Sequence, residues 1–348
     1  MTVQVNAFGA ADAPAKIFSL TNANGMKVSV TDFGASVVSI LVPSKTGALT
    51  DVTLGYNSYE GYLNGESFQG ASVGRIANRI GGGSIVIDGV TYTLDKNFGE
   101  DTLHGGFDQY GKRFWETADI ASAPDAVTFR LLSPNGDQGM PGNADISVAY
   151  TLTDDNALEI RYRAVSDADT FFNFTNHTYF NLNGAGHGNV LNHRLLLNCG
   201  HFTPTDADCV STGEIRSVEG TPFDFRTPKS IGRDIGIDDE QFHGESGFDQ
   251  NYVIDHPSLE IPFARVWSEE TGIELTAFTN LPGVQLYTGN FLTAESDLRN
   301  GPGFGIYDGF TLETQYFPDT PHHENFPSAL YGAGQEMSST TVYQFSVK

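Results

Sequence analysis

The chain has 348 residues, of which 39% are hydrophobic and 12% are aromatic, and it contains 39 glycines. This composition supports a substantial hydrophobic core and favours many strands joined by turns over a helical protein. With 43 acidic against 19 basic residues the formal net charge is −24, so nucleic acid and anionic membrane surfaces would be repelled, and we expect neither as a partner.

The predicted strands run from one end of the chain to the other. Ser84–Leu94 (SIVIDGVTYTL) contains two β-rich runs joined at Asp88-Gly89, which is the strongest short hairpin signal in a sequence. Further strands are predicted at Lys27–Thr31, Val37–Val42, Ala126–Leu132, Ile146–Leu152, Ala157–Ala164, Arg194–Asn198, Asn251–Ile254, Ile273–Phe278, Val284–Thr288, Phe310–Tyr316 and Thr341–Val347.

Helical segments are few and short. Helical turns are predicted near Asn57–Leu63 and Thr293–Arg299, and no longer segment has convincing apolar periodicity. Neither a linker nor a repeat of fixed length divides the chain. The sequence therefore predicts an all-β protein in which residues 1–348 form one large antiparallel β-sandwich domain.

Targeting signals and cysteine content indicate the compartment. The N-terminus lacks a basic region followed by an apolar one, and the longest apolar run, Ala35–Val42, is too short to span a bilayer. Cys199 and Cys209 are too few for a disulfide framework, and we take them as reduced. We expect a soluble, cytoplasmic protein that is a monomer or a weak homodimer.

Two ionisable residues stand in unusually uncharged surroundings. His177 lies at the centre of Phe172–Gly184 (FNFTNHTYFNLNG), and Glu313 lies within Asp308–Pro318 (DGFTLETQYFP) among aromatic residues. A carboxylate in such a setting is costly to bury unless it is hydrogen-bonded or useful. Both residues are therefore candidates for a functional site.

Several other segments combine turn residues and polar side chains with aromatic ones. A sugar presents hydroxyl groups that both donate and accept hydrogen bonds, and aromatic rings cover its apolar C–H face, so this mixture suits a carbohydrate ligand. The candidate residues are Asn78, Arg79, His104, His177, Asp249, Gln285 and Glu313.

Other classes of site lack their motifs. His322 and His323 are adjacent, but neighbouring residues of a strand or loop point apart, and no HExxH, paired CxxC or calcium loop is present. We therefore expect no metal. GxGxxG, GxxxxGK[ST] and GxSxG are also absent, which argues against nucleotide binding and serine hydrolysis.

The residues alone leave three functions open for a protein that binds a carbohydrate. A glycoside hydrolase would use Asp249 and Glu313 as its two carboxyl groups, but it would leave the two histidines without a role. A sugar-binding module on the same fold would bind without catalysis. A hexose-phosphate epimerase would need several cationic residues, and only Arg79 is an evident candidate.

Seven segments together resemble the galactose mutarotases, or aldose 1-epimerases. They occur in order over most of the chain and read GRIANRI, LHGG, NHTYFNLNG, GTPFDFR, FDQNY, VQLYTGNFL and LETQYFPD. The resemblance implies a β-supersandwich fold that interconverts the α and β anomers of aldohexoses such as galactose and glucose, without a cofactor.

The same resemblance assigns roles to the candidate residues. It implies that Glu313 is the general base, that His177 is the general acid and that His104 is a second histidine near the ring oxygen of the sugar. Asn78, Arg79, Asp249 and Gln285 match sugar-contacting positions.

The chain departs from the family pattern at two places. Phe98–Asp101 (FGED) replaces a turn like Gly-Pro-Asn and adds two negative charges close to His104, which disfavours sugar phosphates. Thr311 stands where small or apolar residues are common, and we expect little consequence from it.

Anomerisation also sets a requirement on protonation. Around neutral pH a glutamate is ordinarily charged and a histidine largely neutral, so a histidine acid needs a raised pKa. We expect Glu313 and the negative field of the chain to raise the pKa of His177.

Overall fold

A computed structural model of the chain describes residues 2–10, 12–118, 125–242, 247–293, 299 and 304–348. The strands, numbered in chain order, are β1 Thr2–Ala7, β2 Lys16–Thr21, β3 Lys27–Thr31, β4 Ser36–Pro43, β5 Leu49–Asp51, β6 Ser72–Val73, β7 Arg79–Ile80, β8 Ser84–Ile87, β9 Val90–Thr93, β10 Thr102–Leu103, β11 Glu116–Ala118, β12 Ala126–Ser133, β13 Ala144–Leu152, β14 Ala157–Ser166, β15 Thr170–Phe171, β16 Thr175–Asn176, β17 Arg194–Leu197, β18 His201–Thr203, β19 Arg216–Ser217, β20 Lys229–Ser230, β21 Asp249–Val253, β22 Ala264–Trp267, β23 Ile273–Thr279, β24 Gly283–Tyr287, β25 Thr311–Gln315, β26 Leu330–Tyr331 and β27 Met337–Val347.

Helices are few within these ranges. The α-helix α1 spans Tyr59–Asn64. The short 3₁₀-helices span Gly81–Gly83, Tyr110–Lys112, Asp137–Gly139, Ile231–Arg233, Glu240–Phe242 and Thr320–His322. No helix in the described part of the chain is long and apolar enough to cross a membrane.

The strands of the described residues form three large antiparallel sheets and four small ones. One sheet has the order β1-β2-β3-β4-β5, a second has β11-β12-β13-β14-β27-β23-β22-β17-β20, and a third has β19-β18-β21-β24-β25. Two-stranded ladders join β7 to β10, β6 to β16, β15 to β26 and β8 to β9. The fold is thus the predicted all-β, antiparallel architecture.

The main hydrophobic core lies between the large sheets. It combines the inward-facing residues of β2–β4, β12–β14, β17, β21–β25 and β27 in one contiguous cluster. Strand β13 alternates strictly between buried and half-buried residues, as expected for a strand with one face on a core. The core holds the third sheet, and therefore its polar face, in a fixed place.

The local predictions are confirmed where the structure describes them. Each predicted strand overlaps an observed one, and the hairpin β8–β9 turns at Asp88-Gly89, where both residues have positive φ. The helical turn predicted near Asn57–Leu63 is α1. Most of the turn predicted at Thr293–Arg299 lies outside the described residues.

Candidate active site

One face of the sheet β18-β21-β24-β25 carries three of the predicted residues. Asp249 begins β21, Gln285 lies in β24, and Glu313 lies in β25 directly opposite Gln285. Since every second residue of a strand shares a face, Tyr287 and Thr311 lie on this face as well. The sheet therefore builds a polar floor within an otherwise apolar core.

His177 reaches the same place from a different part of the chain. It follows β16, which pairs with β6, and its backbone is held on both sides: its N–H donates to the carbonyl of Ala71, and its carbonyl accepts from Gly70 N–H at 2.9 Å. The imidazole Nε2 lies 3.5 Å from Oε1 of Glu313, and both side chains are at most 5% exposed. The two residues predicted from separate motifs therefore face each other.

Asn78 and His104 are locked together beside this pair. The backbone N–H of His104 donates to the carbonyl of Asn78 at 3.0 Å, and the backbone N–H of Asn78 donates to Nδ1 of His104 at 3.2 Å. Both residues have positive φ, at 61° and 50°, which non-glycine residues adopt rarely, although asparagine and histidine do so more often than most. Because Nδ1 accepts a hydrogen bond, the neutral His104 ring carries its proton on Nε2.

Arg79 and Asp249 form the next part of the site, and Gln285 lies behind them. The guanidinium Nη1 of Arg79 is 3.9 Å from Oδ2 of Asp249, and the Gln285 amide donates to Oδ1 of Asp249 at 2.8 Å. Arg79, Asp249 and Asn78 line the cleft, whereas Gln285 is buried and does not. Gln285 therefore orients Asp249 from below.

Apart from Gln285, the predicted residues line one side of an open cleft of about 1440 Å³ whose other walls are aromatic. Phe68 stacks on His177 and packs on His104, with ring centroids 5.7 and 4.7 Å away, and Tyr179 packs on His177 at 4.9 Å. Tyr287 and Phe291 continue this wall. Sequence reasoning did not select Phe68 or Tyr179, although the position of Tyr179 two residues after His177 is a usable signal for a shared face.

Burial sets the charges of the central pair. It raises the pKa of Glu313 to about 8, the negative charge of Asp249 adds to the rise, and the Thr311 hydroxyl and Arg79 oppose it. Burial lowers the pKa of His177 to about 4. The expectation that the site raises the histidine pKa is wrong, because desolvation of a buried imidazolium outweighs attraction to a carboxyl group that is itself largely protonated.

His104 is neutral for the same reason. Burial lowers its pKa well below the ordinary value, and the neighbouring His177 and Arg79 lower it further. Its Nε2–H is thus a hydrogen-bond donor rather than an acid at neutral pH.

Among the described residues, His104, His177 and Glu313 form a group that could hold a metal ion, because their potential ligand atoms lie within 4.8 Å of one another. Metal binding through Nε2 of His104 would require a lone pair there and hence a proton on Nδ1. A proton on Nδ1 would point at the backbone N–H of Asn78 and would remove the hydrogen bond that Asn78 donates there. In this arrangement His104 Nε2 is suited to donate a hydrogen bond and not to bind a metal ion.

The segment Phe98–Asp101 does not bring negative charge into the cleft. Glu100 is exposed and pairs with Lys96 at 2.7 Å, and Asp101 accepts from the backbone N–H of Gly82 at 2.8 Å. Phe98 instead lines the cleft, with its ring 4.9 Å from the guanidinium carbon of Arg79. The negative charges of Glu100 and Asp101 therefore give no reason to exclude sugar phosphates from the cleft.

His322 and His323 do not point apart as predicted. His322 Nδ1 lies 2.7 Å and His323 Nε2 lies 3.4 Å from the carboxylate of Asp319, because the 3₁₀ turn Thr320–His322 folds both rings back onto it. Asp319 in turn accepts from Gly81 N–H at 3.0 Å, and its own N–H donates to the Arg79 carbonyl. This cluster supports the backbone of Arg79 from outside the cleft.

Comparisons with known proteins agree along nearly the whole chain. A sequence model of the family Aldose 1-epimerase matches residues 16–344. The galactose mutarotase of Bos taurus is 38% identical over 322 residues, which is 92% of each chain, and the aldose 1-epimerase of Escherichia coli K12 is 37% identical over 336 residues, which is 95% of each chain.

Solved structures show the same similarity. A homologue of aldose epimerases from C. elegans superposes with a TM-score of 0.87 at 32% identity, covering 94% of this chain and 98% of that one. The galactose 1-epimerase of Lactobacillus acidophilus NCFM superposes with a TM-score of 0.86 at 28% identity, covering 100% and 99%.

Proposed function

Because this chain belongs to the aldose 1-epimerase family of isomerases, we propose that Glu313 and His177 carry out its proton transfers on an aldohexose such as D-galactose or D-glucose. The reaction interconverts the α and β anomers of the sugar. The observation that supports these roles is the approach of His177 Nε2 to Glu313 Oε1, at 3.5 Å, on the floor of the cleft. An acid and a base at this separation are both within reach of one pyranose hemiacetal centre.

The chemistry needs one acceptor and one donor at the same time. Glu313 takes the proton of the C1 hydroxyl, the bond between C1 and the ring oxygen breaks, and His177 gives a proton to the ring oxygen. The product is the open-chain aldehyde. After rotation about the C1–C2 bond, His177 takes back the proton of the ring hydroxyl and protonated Glu313 returns its proton to the oxygen on C1.

One proton on the pair is sufficient for the whole cycle. Ring opening starts from charged Glu313 and charged His177, and it leaves both residues neutral, with the proton on Glu313. Burial favours the neutral distribution, since it raises the pKa of Glu313 and lowers that of His177. The site thus favours the proton distribution that accompanies the open-chain stage.

The remaining residues bind the sugar hydroxyls. Arg79 and Asp249 provide a donor and an acceptor side by side, and His104 provides the Nε2–H that faces the same cleft. Asn78 orients His104, and Gln285 orients Asp249. Such positioning contributes to catalysis because small displacements of a bound sugar spoil the proton transfers.

The chain-level proposals rest on separate observations. We propose that residues 1–348 act as one domain, since β11–β14 and the C-terminal β27 share one sheet. We place the protein in the cytoplasm, where its two cysteines would remain reduced. We expect a monomer or a weak homodimer, because the net charge of −24 opposes close association of copies.

Polarimetry of freshly dissolved α-D-galactose and α-D-glucose tests the roles. We expect the wild type to accelerate the change in optical rotation, and Glu313→Gln and His177→Asn each to lose at least about a hundredfold in kcat. Circular dichroism and urea denaturation would show whether each variant is folded. A folded variant with near-normal turnover would contradict the role assigned to that residue, and a folded wild type that accelerates neither sugar would contradict the activity.

A further inference from the structure

We propose that Thr311 is a positioning residue for this reaction, which holds the carboxyl group of Glu313 through a hydrogen bond to Oε1. The proposal rests on the role given to Glu313 above. It gives a function to Thr311, which we did not expect from the sequence to affect the reaction.

The geometry follows from the strand. Thr311 and Glu313 are two residues apart in β25, so their side chains lie on the same face of the sheet. The Thr311 hydroxyl donates to Glu313 Oε1 at 3.1 Å. The two residues are 0% and 2% exposed, so water does not compete for this bond.

The bond divides the two carboxyl oxygens between two tasks. Oε1 accepts from Thr311 and faces His177. Oε2 is buried and has no hydrogen-bond partner among the described residues. Thr311 thereby limits rotation of the carboxyl group and leaves Oε2 as the carboxyl oxygen without a hydrogen bond from the described residues.

The bond also favours the charged form of Glu313. A hydroxyl donor stabilises a carboxylate more than a neutral carboxylic acid, so it lowers the pKa of Glu313 against the effect of burial. The other titratable or charged groups that act on or face Glu313 are His177, His104, Tyr179, Arg79, Asp249 and Tyr343. Of the two groups that lower its pKa, Thr311 has the larger effect and Arg79 the smaller.

Thr311→Val tests the proposal, because valine keeps the shape and removes the donor. We expect kcat to fall about tenfold with little change in KM, since the charged form needed for ring opening becomes less favourable. We also expect the loss of activity at high pH to begin about one pH unit higher, because the proton leaves Glu313 less readily. Rates would be measured by polarimetry, with the spontaneous rate at each pH subtracted.

Thr311→Ser and Thr311→Ala are the matched controls. Serine retains the hydroxyl and should stay near the wild-type pH profile, whereas alanine should behave like valine, and it replaces valine if that variant does not fold. The proposal is overturned if valine and wild type share the same kcat and profile. It is also overturned if serine is as defective as valine, or if kcat falls with an unshifted profile.

Glu313→Gln separates this proposal from the one on which it rests. If Glu313→Gln retains turnover, the base assignment itself fails. If Glu313→Gln is inactive while Thr311→Val matches the wild type in kcat and in pH profile, only the role of Thr311 fails.

Discussion

Burial raises the pKa of Glu313 to about 8 and lowers that of His177 to about 4, so between these values the two residues together hold one proton. Below this range the pair holds two protons and has no base. Above it the pair holds none and has no proton for the ring oxygen. Activity should therefore be level around neutral pH and fall above about pH 8.

Asp249→Asn should move that alkaline limit. The negative charge of Asp249 raises the pKa of Glu313, so its removal lets Glu313 lose its proton at lower pH, and the fall in kcat/KM should begin lower than in the wild type. The KM for galactose should rise about tenfold, because a charged acceptor in the cleft is lost. Polarimetry across about pH 6 to pH 9.5 measures both effects.

Asp155→Asn is the matched control, since Asp155 is exposed and does not line the cleft. The same profile in Asp249→Asn and the wild type would contradict the electrostatic argument. The shift is opposite in direction to that expected for Thr311→Val, so the two variants together distinguish charge from hydrogen bonding.

At the scale of elements, the loop before β6 places His177. Gly70 has φ +66°, and a Cβ there would lie 1.9 Å from the carbonyl oxygen of Val37. The carbonyl of Gly70 also accepts a hydrogen bond from the side-chain amide of Asn176, the residue immediately before His177. A side chain at this position would displace both the first sheet and the histidine segment.

Gly70→Ala and Gly89→Ala form a matched pair that separates backbone conformation from steric conflict. Gly89 has φ +76°, but no atom lies within 4 Å of the place that a Cβ would occupy, so alanine there should cost about 1 kcal/mol in the free energy of unfolding and leave kcat unchanged. Gly70→Ala should destabilise the protein by several times as much and lower kcat. Urea denaturation and polarimetry test this pair, and equal destabilisation of the two variants would refute it.

On the scale of the whole molecule, net charge opposes the compact state. The charge of −24 is spread over a folded surface where carboxylates are closer together than in the unfolded chain. Many of the ion pairs are exposed, for example Arg130 with Asp145, and exposed pairs contribute little. Screening by salt should therefore weaken the repulsion among surface carboxylates more than it weakens the attraction within exposed ion pairs.

We accordingly expect salt to stabilise the fold. Raising NaCl from about 0.05 to about 0.5 M should increase the urea concentration at the midpoint of unfolding, because the Debye length falls well below typical spacings of surface charges. Sucrose at matched osmolality would control for effects unrelated to charge. A midpoint that decreases with NaCl would mean that the ion pairs outweigh the repulsion.

The sequence by itself determined the β-rich architecture, and it pointed to polar residues of which all but Gln285 line the cleft. Alternation and turn chemistry are local properties, so the hairpin at Asp88-Gly89 and most strands were predicted from short segments. His177 and Glu313 were predicted as site candidates because an ionisable residue in an apolar segment is unusual, whatever structure that segment adopts.

Only the tertiary structure decided which groups touch and where the proton rests. Gln285 lies behind Asp249, and Thr311 holds Glu313, because strand register places them there. The direction of the pKa shift of His177 was predicted wrongly, since it depends on burial on every side of the imidazole ring. Desolvation is a property of the whole environment in three dimensions, and the residues that supply it come from distant parts of the chain.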